Sequence, residues 1–177
     1  EKAAPNRAVG PPFLDAIKSG KPVIAAVQGH VFGLGIMLAS ECTIIIASEG
    51  TQFAMNEVKR SVSGASAWAR ITQWIPSKIA TEMAITGDPI SAELAHSFGL
   101  INKVTDESSL LQEAETIAQR INTAPPLAVR ATVQAIRNNA KNGIDNRISR
   151  NPLTNLEKTK DYKEAINLIQ LASEQGD

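Results

Sequence analysis

Two short apolar segments in the first third of the chain have the character of strands. Pro22 to Gln28 (PVIAAVQ) and Cys42 to Ser48 (CTIIIAS) are rich in β-branched and small apolar residues. We expect the first to be a strand buried on both faces. About a dozen residues separate the two segments, a spacing that suits a crossover helix between parallel strands. The pattern therefore predicts a β-turn-α-β unit over residues 22–48.

From Ala65 onward the apolar residues recur every three or four positions, as on the buried face of a helix. Capping residues divide this stretch, because proline favours the first turn of a helix, serine caps N-termini and glycine ends helices. The predicted elements are a helix over Ala67 to Trp74, a helix from Pro76 to Gly87, a helix over Ala92 to Phe98 with Ser91 as its N-cap and Gly99 at its end, and a strand over Leu100 to Val104.

The chain beyond Thr105 has the pattern of helices alone. Three apolar faces recur at helical spacing, with a break at Pro125-Pro126 between the first and the second: Leu110, Ala114, Ile117 and Ile121; Val129, Val133, Ile136 and Ala140; Tyr162, Ala165, Ile166 and Ile169. We therefore divide the chain into residues 1–105, an α/β core, and residues 106–177, a helical region. Residues 1–12 hold three prolines and no hydrophobic period, so we expect a flexible lead-in there.

Composition narrows the function. The chain has 177 residues, 43% of them hydrophobic, and its 18 Lys and Arg balance its 18 Asp and Glu. Such a chain folds as a globular domain, and a net charge of zero argues against nucleic acid or an anionic membrane as a partner. No apolar run is long enough to span a bilayer. One cysteine and two histidines cannot form a Cys/His zinc site, so we expect no metal.

Gln28 to Gly35 joins the first predicted strand to an apolar helical run, Ile36 to Glu41, through a turn rich in glycine. The free N–H groups at a helix N-terminus attract negative charge, which serves phosphate binding, dinucleotide binding or stabilisation of an oxyanion. The sequence lacks the motifs of phosphate and dinucleotide sites. Leu38 stands where a dinucleotide-binding motif has its third glycine, and the GxxxxGK[ST] motif of phosphate-binding loops does not occur. The alternative is a tight turn that serves only packing.

Glu57 is the carboxylate that stands out. It follows a short apolar segment, Gln52 to Met55, and a glutamate at such a strand end is a candidate general acid and base. The alternative is a solvated glutamate paired with Lys59 or Arg60. Local sequence leaves both open.

Several motifs in register resemble the crotonase superfamily, the enoyl-CoA hydratase/isomerase family. They are KPVIAAVQG, the G-L-G turn, CTIIIAS, TQFAMNEVKRS and TEMAITGDPISAELAHSFGLINKV, spanning about Lys21 to Val104. The resemblance implies a spiral core of repeated ββα turns followed by helices that build homotrimers or hexamers. It also implies that the family's N-terminal part, which holds the first oxyanion donor, precedes this segment. A cytoplasmic or organelle-matrix location fits such an enzyme.

The resemblance further implies an acyl-CoA enzyme in which backbone N–H groups bind the thioester oxygen and stabilise an enolate. The second of these donors falls on the N–H of Leu34, where the family has glycine, so the backbone there must avoid positive φ. Coenzyme A enters only as part of the substrate, and no other cofactor is implied.

Family hydratases carry two glutamates twenty residues apart, and here the later falls on Glu57 while the earlier falls on Met37. A single glutamate suits double-bond isomerisation or weak hydration of an enoyl-CoA, with Met37 in the acyl pocket. Trp68 is a second pocket candidate, although Trp68 and Trp74 are equally suited to a helix-face core. Other enolate chemistries, such as decarboxylation or dehydration, and a non-catalytic CoA-binding or assembly subunit remain alternatives.

We expect the remaining chemically active side chains to be structural. His30 and His96 have no base or metal partner in the sequence pattern, and Cys42 lies in an apolar run as a small buried hydrophobic residue.

Overall fold

A computed structural model describes residues 19–143 and, beyond them, residues 163, 166 and 167. Within this part of the chain, strands and helices alternate up to residue 105 and helices follow. The strands are β1 (Ile24–Val27), β2 (His30–Phe32), β3 (Ile44–Ser48), β4 (Gln52–Ala54), β5 (Ile90–Ser91) and β6 (Lys103–Thr105). The helices are α1 (Leu34–Glu41), α2 (Ala65–Ile71), α3 (Ser77–Thr86), α4 (Ala92–Ser97), α5 (Leu110–Asn122) and α6 (Pro126–Gly143).

The first sheet has the order β1-β3-β6, and all its neighbours run parallel. Ile24 of β1 lies opposite Ile44 of β3, and Ile46 of β3 lies opposite Lys103 of β6. A parallel pair requires a crossover connection, and α1 supplies it between β1 and β3. The predicted pair of parallel strands is therefore confirmed.

The second sheet has the order β2-β4-β5, with β2 parallel to β4 and β5 antiparallel to β4. Strands β1 and β3 of the first sheet each lead through a glycine turn into a strand of the second sheet, β2 and β4. Gly29 makes this turn between β1 and β2, and Gly50 makes it between β3 and β4, both with positive φ. Glycine occupies such conformations without the steric cost that a Cβ carries. The result is a repeated ββα unit.

The core lies where helices α1 to α4 cover the strands. Its largest fully buried side chains include Phe53 of β4, Ile36 of α1, Ile46 of β3, Met55 and Ile71 of α2. Burial of each such side chain contributes roughly 1.5–3 kcal/mol to folding. The chain segments that carry the second sheet and the glycine turns are thus held against one apolar cluster.

Two expectations for the first strands were wrong. Residues 24–27 of β1 are half-buried throughout, not buried on both faces, because β1 is the edge of its sheet in the described part of the chain. The predicted turn over residues 28–35 also contains β2. The three residues of β2 pair with β4, a contact that no local pattern reveals.

The predicted helices after residue 65 are confirmed with small shifts at their ends. Gly87 ends α3 in the left-handed conformation, and the Ser91 side chain accepts a hydrogen bond from the Leu94 N–H, 3.2 Å, at the start of α4. The strand expected at 100–104 lies at Lys103–Thr105. Trp74 is 42% exposed, so its expected place in a helix-face core is wrong.

Of the helical region, the structure describes α5 and α6. Helix α5 packs on β1 and β3, and Leu110 at its start is buried. Pro126 begins α6, as the break at Pro125-Pro126 predicts, and Val133 is its buried residue. The predicted third helical face lies outside the described residues, apart from Ile166, as does the lead-in over 1–12. The domain division and the trimer stay predictions. None of the described helices has the length and apolar character that crossing a membrane requires.

Candidate active site

The turn between β2 and α1 forms an uncapped helix start. Gly33 precedes α1 with φ 52° and ψ −114°, and its N–H donates to the Ala54 carbonyl oxygen of β4, 3.0 Å. No side chain caps the helix. Leu34 is its first residue, so the Leu34 N–H has no acceptor within the helix. The start of α1 therefore presents free N–H groups together with the positive end of the helix dipole.

The backbone at Leu34 avoids positive φ, as a leucine at this position requires. Within the described part of the chain, Ser61 is the only non-glycine residue with positive φ, so Leu34 has an ordinary backbone conformation. The positive φ falls one residue earlier, on Gly33. The Leu34 side chain is 66% exposed, which leaves its backbone N–H beside the turn and its side chain pointing away from the core.

Glu57 lies in a 3-10 turn, Asn56–Arg60, that directly follows β4. Because β4 pairs with β2, the ends of these two strands meet, and the 3-10 turn comes to lie beside the glycine turn. A Cβ built on Gly33 would lie 3.5 Å from Glu57 Oε1. The fold thus brings Glu57 next to the helix start at Leu34, the two positions to which the family resemblance assigns proton transfer and oxyanion binding.

The Glu57 carboxylate is half-buried, and its Oε2 atom is shielded from solvent without a hydrogen-bond partner among the described residues. A buried carboxylate oxygen without a donor costs free energy, so such an atom in a folded protein calls for a reason beyond stability. An approaching ligand group that shares its proton with this oxygen would satisfy it.

The expected alternative, in which Glu57 pairs with Lys59 or Arg60, does not form. Lys59 Nζ binds Asp88 Oδ1 at 2.7 Å, and Arg60 Nη2 donates to Asn56 Oδ1 at 3.2 Å. Both cations thus bind other side chains, and among the residues that the structure describes none forms an ion pair with Glu57.

Met37 and Trp68, the two pocket candidates, line the helices next to the turn. Met37 is half-buried one helical turn after Gly33, to whose carbonyl oxygen its N–H donates, 3.3 Å. Trp68 of α2 packs against the core, and its Nε1–H donates to Thr81 Oγ1 of α3, 3.0 Å. Both side chains are partly buried and pack against the core, and Trp68 fits the helix-face interpretation.

Sequence reasoning missed Asn56 and Arg60 as members of the site. The built Cβ of Gly33 would lie 3.4 Å from Asn56 Oδ1 and 3.5 Å from Arg60 Nη2, the same neighbourhood as Glu57 Oε1. Arg60 lies three residues after Glu57 and four after Asn56, a spacing that could have indicated that Arg60 shares one side of a helical turn with each of them.

The remaining candidates take no part in this cluster. His30 stacks near Phe32, with ring centroids 5.0 Å apart, and His96 Nδ1 contacts the Ile101 carbonyl oxygen at 3.2 Å. Cys42 is half-buried, and burial raises the pKa of its thiol. The described residues contain no group of three or more His, Cys, Asp or Glu side chains placed to hold a metal ion. Two surface pockets, of about 560 and 640 Å³, lie along α5 and involve none of the site residues.

Comparison with known proteins identifies the family of the chain. A family model described as enoyl-CoA hydratase/isomerase matches residues 2–168. The chain is 39% identical over 127 residues to (E)-benzylidenesuccinyl-CoA hydratase of Thauera aromatica, which covers 71% of this chain and 50% of that protein. The chain spans about half the length of the curated relatives it matches.

Solved structures share the fold. A carnitinyl-CoA dehydratase from Mycobacterium avium superposes with a TM-score of 0.72 at 34% identity, over 82% of this chain and 59% of that chain. A methylmalonyl-CoA decarboxylase superposes with a TM-score of 0.78 at 25% identity, over 88% and 64%. The expected ββα core with helices after it is thus confirmed as a crotonase fold. Since the family model covers most of its length and its strands and helices follow the same architecture, the chain belongs to the enoyl-CoA hydratase/isomerase family.

Proposed function

We propose that this protein is an acyl-CoA enzyme that stabilises a thioester enolate at the Leu34 N–H and moves a proton with Glu57. The observation that carries the proposal is the meeting of two features: Glu57 Oε1 lies 3.5 Å from the Cβ position of Gly33, directly before the uncapped start of α1. An oxyanion site and a proton-transfer group are the two parts that enolate chemistry requires.

The helix start supports the oxyanion role. When a proton leaves the carbon next to a thioester carbonyl, negative charge develops on the carbonyl oxygen, and a fixed N–H donor stabilises that charge more than it stabilises the neutral thioester. Loss of one such donor typically costs about 10²–10³-fold in rate. The free N–H of Leu34 and the dipole of α1 fit this role.

Glu57 supports the proton-transfer role. Its Oε2 atom has no donor among the described residues, and neither neighbouring cation forms an ion pair with it. A carboxylate without such partners is free to accept a proton from one carbon and return it to another. With Met37 unable to move protons, we propose double-bond isomerisation between a 3-enoyl and a 2-enoyl thioester as the leading reaction, by proton transfer through Glu57 alone.

Hydration and dehydration form the second candidate reaction. The relatives named as a hydratase and a dehydratase favour it. In this case Glu57 would position the water and also protonate the carbon, which predicts slow turnover because a second acid–base group typically contributes about 10²–10⁴-fold. The decarboxylase neighbour indicates that the scaffold accommodates other enolate chemistry as well.

We further propose that the protein acts as a homotrimer or a hexamer built through its helical region. Leu127 and Ile136 of α6 are 78% and 49% exposed in the single chain, and Leu111 of α5 is 70% exposed. Large apolar side chains exposed on neighbouring helices are typical of a surface that another subunit covers. Light scattering of the purified protein tests the expected mass.

The experiment for the activity offers purified protein 3-pentenoyl-CoA and 2-pentenoyl-CoA. We expect conversion of the 3-enoyl ester to the 2-enoyl ester, a reduction of at least about 10²-fold in Glu57→Gln, and no loss in the control Glu115→Gln, an exposed carboxylate of α5. Water addition that disappears in Glu57→Gln would favour the second reaction. Turnover that survives this substitution would remove Glu57 from the mechanism, and thioester binding without turnover would indicate a non-catalytic subunit.

A further inference from the structure

The exposed side chain of Arg60 reaches the same glycine, Gly33, as the Glu57 carboxylate. Both Arg60 Nη2 and Glu57 Oε1 are 3.5 Å from the Cβ position of Gly33, yet the two side chains form no ion pair. Among the residues that the structure describes, no carboxylate lies within ion-pairing distance of Arg60. A cation therefore stands at the candidate reaction centre with part of its hydrogen-bonding capacity unused.

Asn56 holds this cation in place. Its Oδ1 atom accepts from Arg60 Nη2 at 3.2 Å, across one turn of the 3-10 segment. Arginine carries five N–H donors, and Asn56 engages one of them, so the other donors of this exposed side chain are available to a ligand. The adjacent Lys59 differs, because its ammonium is already paired with Asp88 at 2.7 Å. The two neighbouring cations thus have separate roles, one in holding the turn and one at the site.

We propose that Arg60 binds a carboxylate in the acyl part of the substrate, so that the preferred substrates are CoA thioesters of dicarboxylic acids. The inference rests on the proposed function, since it takes Glu57 as the group that faces the acyl chain. A substrate carboxylate that approaches Glu57 meets like charge, and the Arg60 guanidinium offsets this repulsion with a charge-assisted pair of hydrogen bonds.

The phosphates of CoA are the other anions that an arginine could bind. The pantetheine arm separates them from the thioester carbonyl, whereas Arg60 shares its position with Glu57 and the turn before α1. The acyl carboxylate is therefore the anion whose place in the substrate matches the place of Arg60. A pair of ligands with the same CoA moiety and different acyl ends separates the two sources.

The experiment compares 4-carboxybut-3-enoyl-CoA, the 3-enoyl isomer of glutaconyl-CoA, with its terminal amide, which has the same shape without the charge. We expect wild-type protein to favour the carboxylate about 10–100-fold in kcat/KM, as a hydrogen-bonded charge pair contributes. Arg60→Gln should abolish the preference by slowing the carboxylate substrate alone, Arg60→Lys should retain part of it, and Arg130→Gln, an exposed cation of α6, should leave it unchanged.

Calorimetric binding of succinyl-CoA against succinamyl-CoA, its terminal amide, tests the same preference without any turnover. A preference in binding that Arg60→Gln removes supports the inference even if neither enoyl substrate reacts, in which case only the proposed reaction fails. Equal affinity for the two ligands in wild-type protein overturns it. A loss in Arg60→Gln that is equal for carboxylate and amide also overturns it, because that result places the contact on the CoA moiety.

Discussion

Glu57 and Gly33, which lie twenty-four positions apart in the sequence, meet where β2 and β4 end side by side. The Gly33 N–H donates to the carbonyl oxygen of Ala54, 3.0 Å, and this bond fixes the glycine turn against the strand from which the Glu57 turn emerges. Glu57 Oε1 then lies 3.5 Å from the place where any other residue at position 33 would have its Cβ. Position 33 thus requires glycine for its backbone conformation, and a methyl group added there would lie in van der Waals contact with the carboxylate.

Gly33→Ala should damage both stability and the site. The φ of 52° combined with a ψ of −114° is a conformation that residues with a Cβ rarely adopt, and the added methyl group would contact Asn56, Glu57 and Arg60. We expect a loss of about 1–3 kcal/mol in the free energy of unfolding, measured by urea denaturation, together with a large fall in thioester turnover.

Gly50→Ala is the matched control. Gly50 also has positive φ, 75°, but a Cβ built there has no atom within 4 Å. It should lose stability through its backbone alone and retain the activity of its folded fraction. If the two variants lose activity to the same degree, the location of Gly33 beside Glu57 is not what makes turnover sensitive to position 33.

Met37→Glu should raise the rate of water addition to a 2-enoyl thioester. If Glu57 acts alone because Met37 cannot transfer a proton, a carboxylate at the start of α1 restores a second acid–base group, which typically contributes about 10²–10⁴-fold. The half-buried position of Met37 costs some stability when a charge enters it, so the rate is measured per folded molecule.

Met37→Gln separates charge from shape in this test. Glutamine has the size and polarity of glutamate but cannot accept a proton from water at neutral pH. We expect no gain in hydration with glutamine. An equal gain in both variants would show that polarity at position 37, and not proton transfer, limits the reaction.

Features set by neighbouring residues were predictable from the sequence. Ser91 caps α4 and Gly87 ends α3 because capping depends on side chains within a few positions of the helix end. The parallel pairing of β1 with β3 followed from two apolar segments and the length between them. Glu57 could be named as a candidate because it follows a short apolar segment, whereas Leu34 was named through the family resemblance.

Features set by distant residues were not predictable in the same way. β2 has three residues and exists through its pairing with β4, and the exposure of Trp74 depends on which face of the chain other elements cover. The convergence of Arg60 and Asn56 on Gly33 likewise requires both sheet strands to be in place. Local pattern and family resemblance therefore indicated candidate residues of the site but not the neighbours Asn56 and Arg60.

Ser91→Ala should destabilise α4 and change the titration of Glu93. The Ser91 hydroxyl accepts from the Leu94 N–H, 3.2 Å, and a hydrogen bond from Ser91 is the main cause that lowers the pKa of Glu93. Loss of an N-cap side chain costs about 1 kcal/mol. NMR titration of the Glu93 carboxyl should show its pKa rising towards the ordinary value, and urea denaturation should show the loss of stability.

The lowered pKa of Glu93 determines how the free energy of unfolding changes with pH. A carboxyl whose pKa is lowered in the folded state stabilises the fold above its unfolded pKa, and that contribution disappears as the pH falls through the folded pKa. Ser91→Ala should therefore lose less stability on acidification than wild-type protein. Ser97→Ala, at the other end of the same helix, removes only a bond to the Leu94 carbonyl oxygen and should change neither quantity appreciably. An unchanged Glu93 titration in Ser91→Ala would contradict the assignment.

Cys42 should react slowly with thiol reagents in the folded protein. Burial raises the pKa of its thiol, and the positive charge of Arg137 only partly opposes this effect. The Sγ atom also donates a weak hydrogen bond to the Leu38 carbonyl oxygen, 3.5 Å, which favours the protonated form. Because the thiolate is the reactive species, modification by iodoacetamide should begin at a higher pH in folded protein than in urea-unfolded protein.

The raised pKa of Cys42 also determines how the stability of the fold changes at alkaline pH. A thiol whose pKa is raised on folding stabilises the fold fully below its unfolded pKa and loses that contribution as the pH rises through the folded pKa. Cys42→Ala removes this loss, so its stability should fall less than that of wild-type protein on alkalinisation. Arg137→Gln should raise the pKa of Cys42 further and Arg130→Gln should not, since the structure assigns the opposing charge to Arg137. A midpoint of modification in folded protein below that of the unfolded chain would show that the charge of Arg137 outweighs burial.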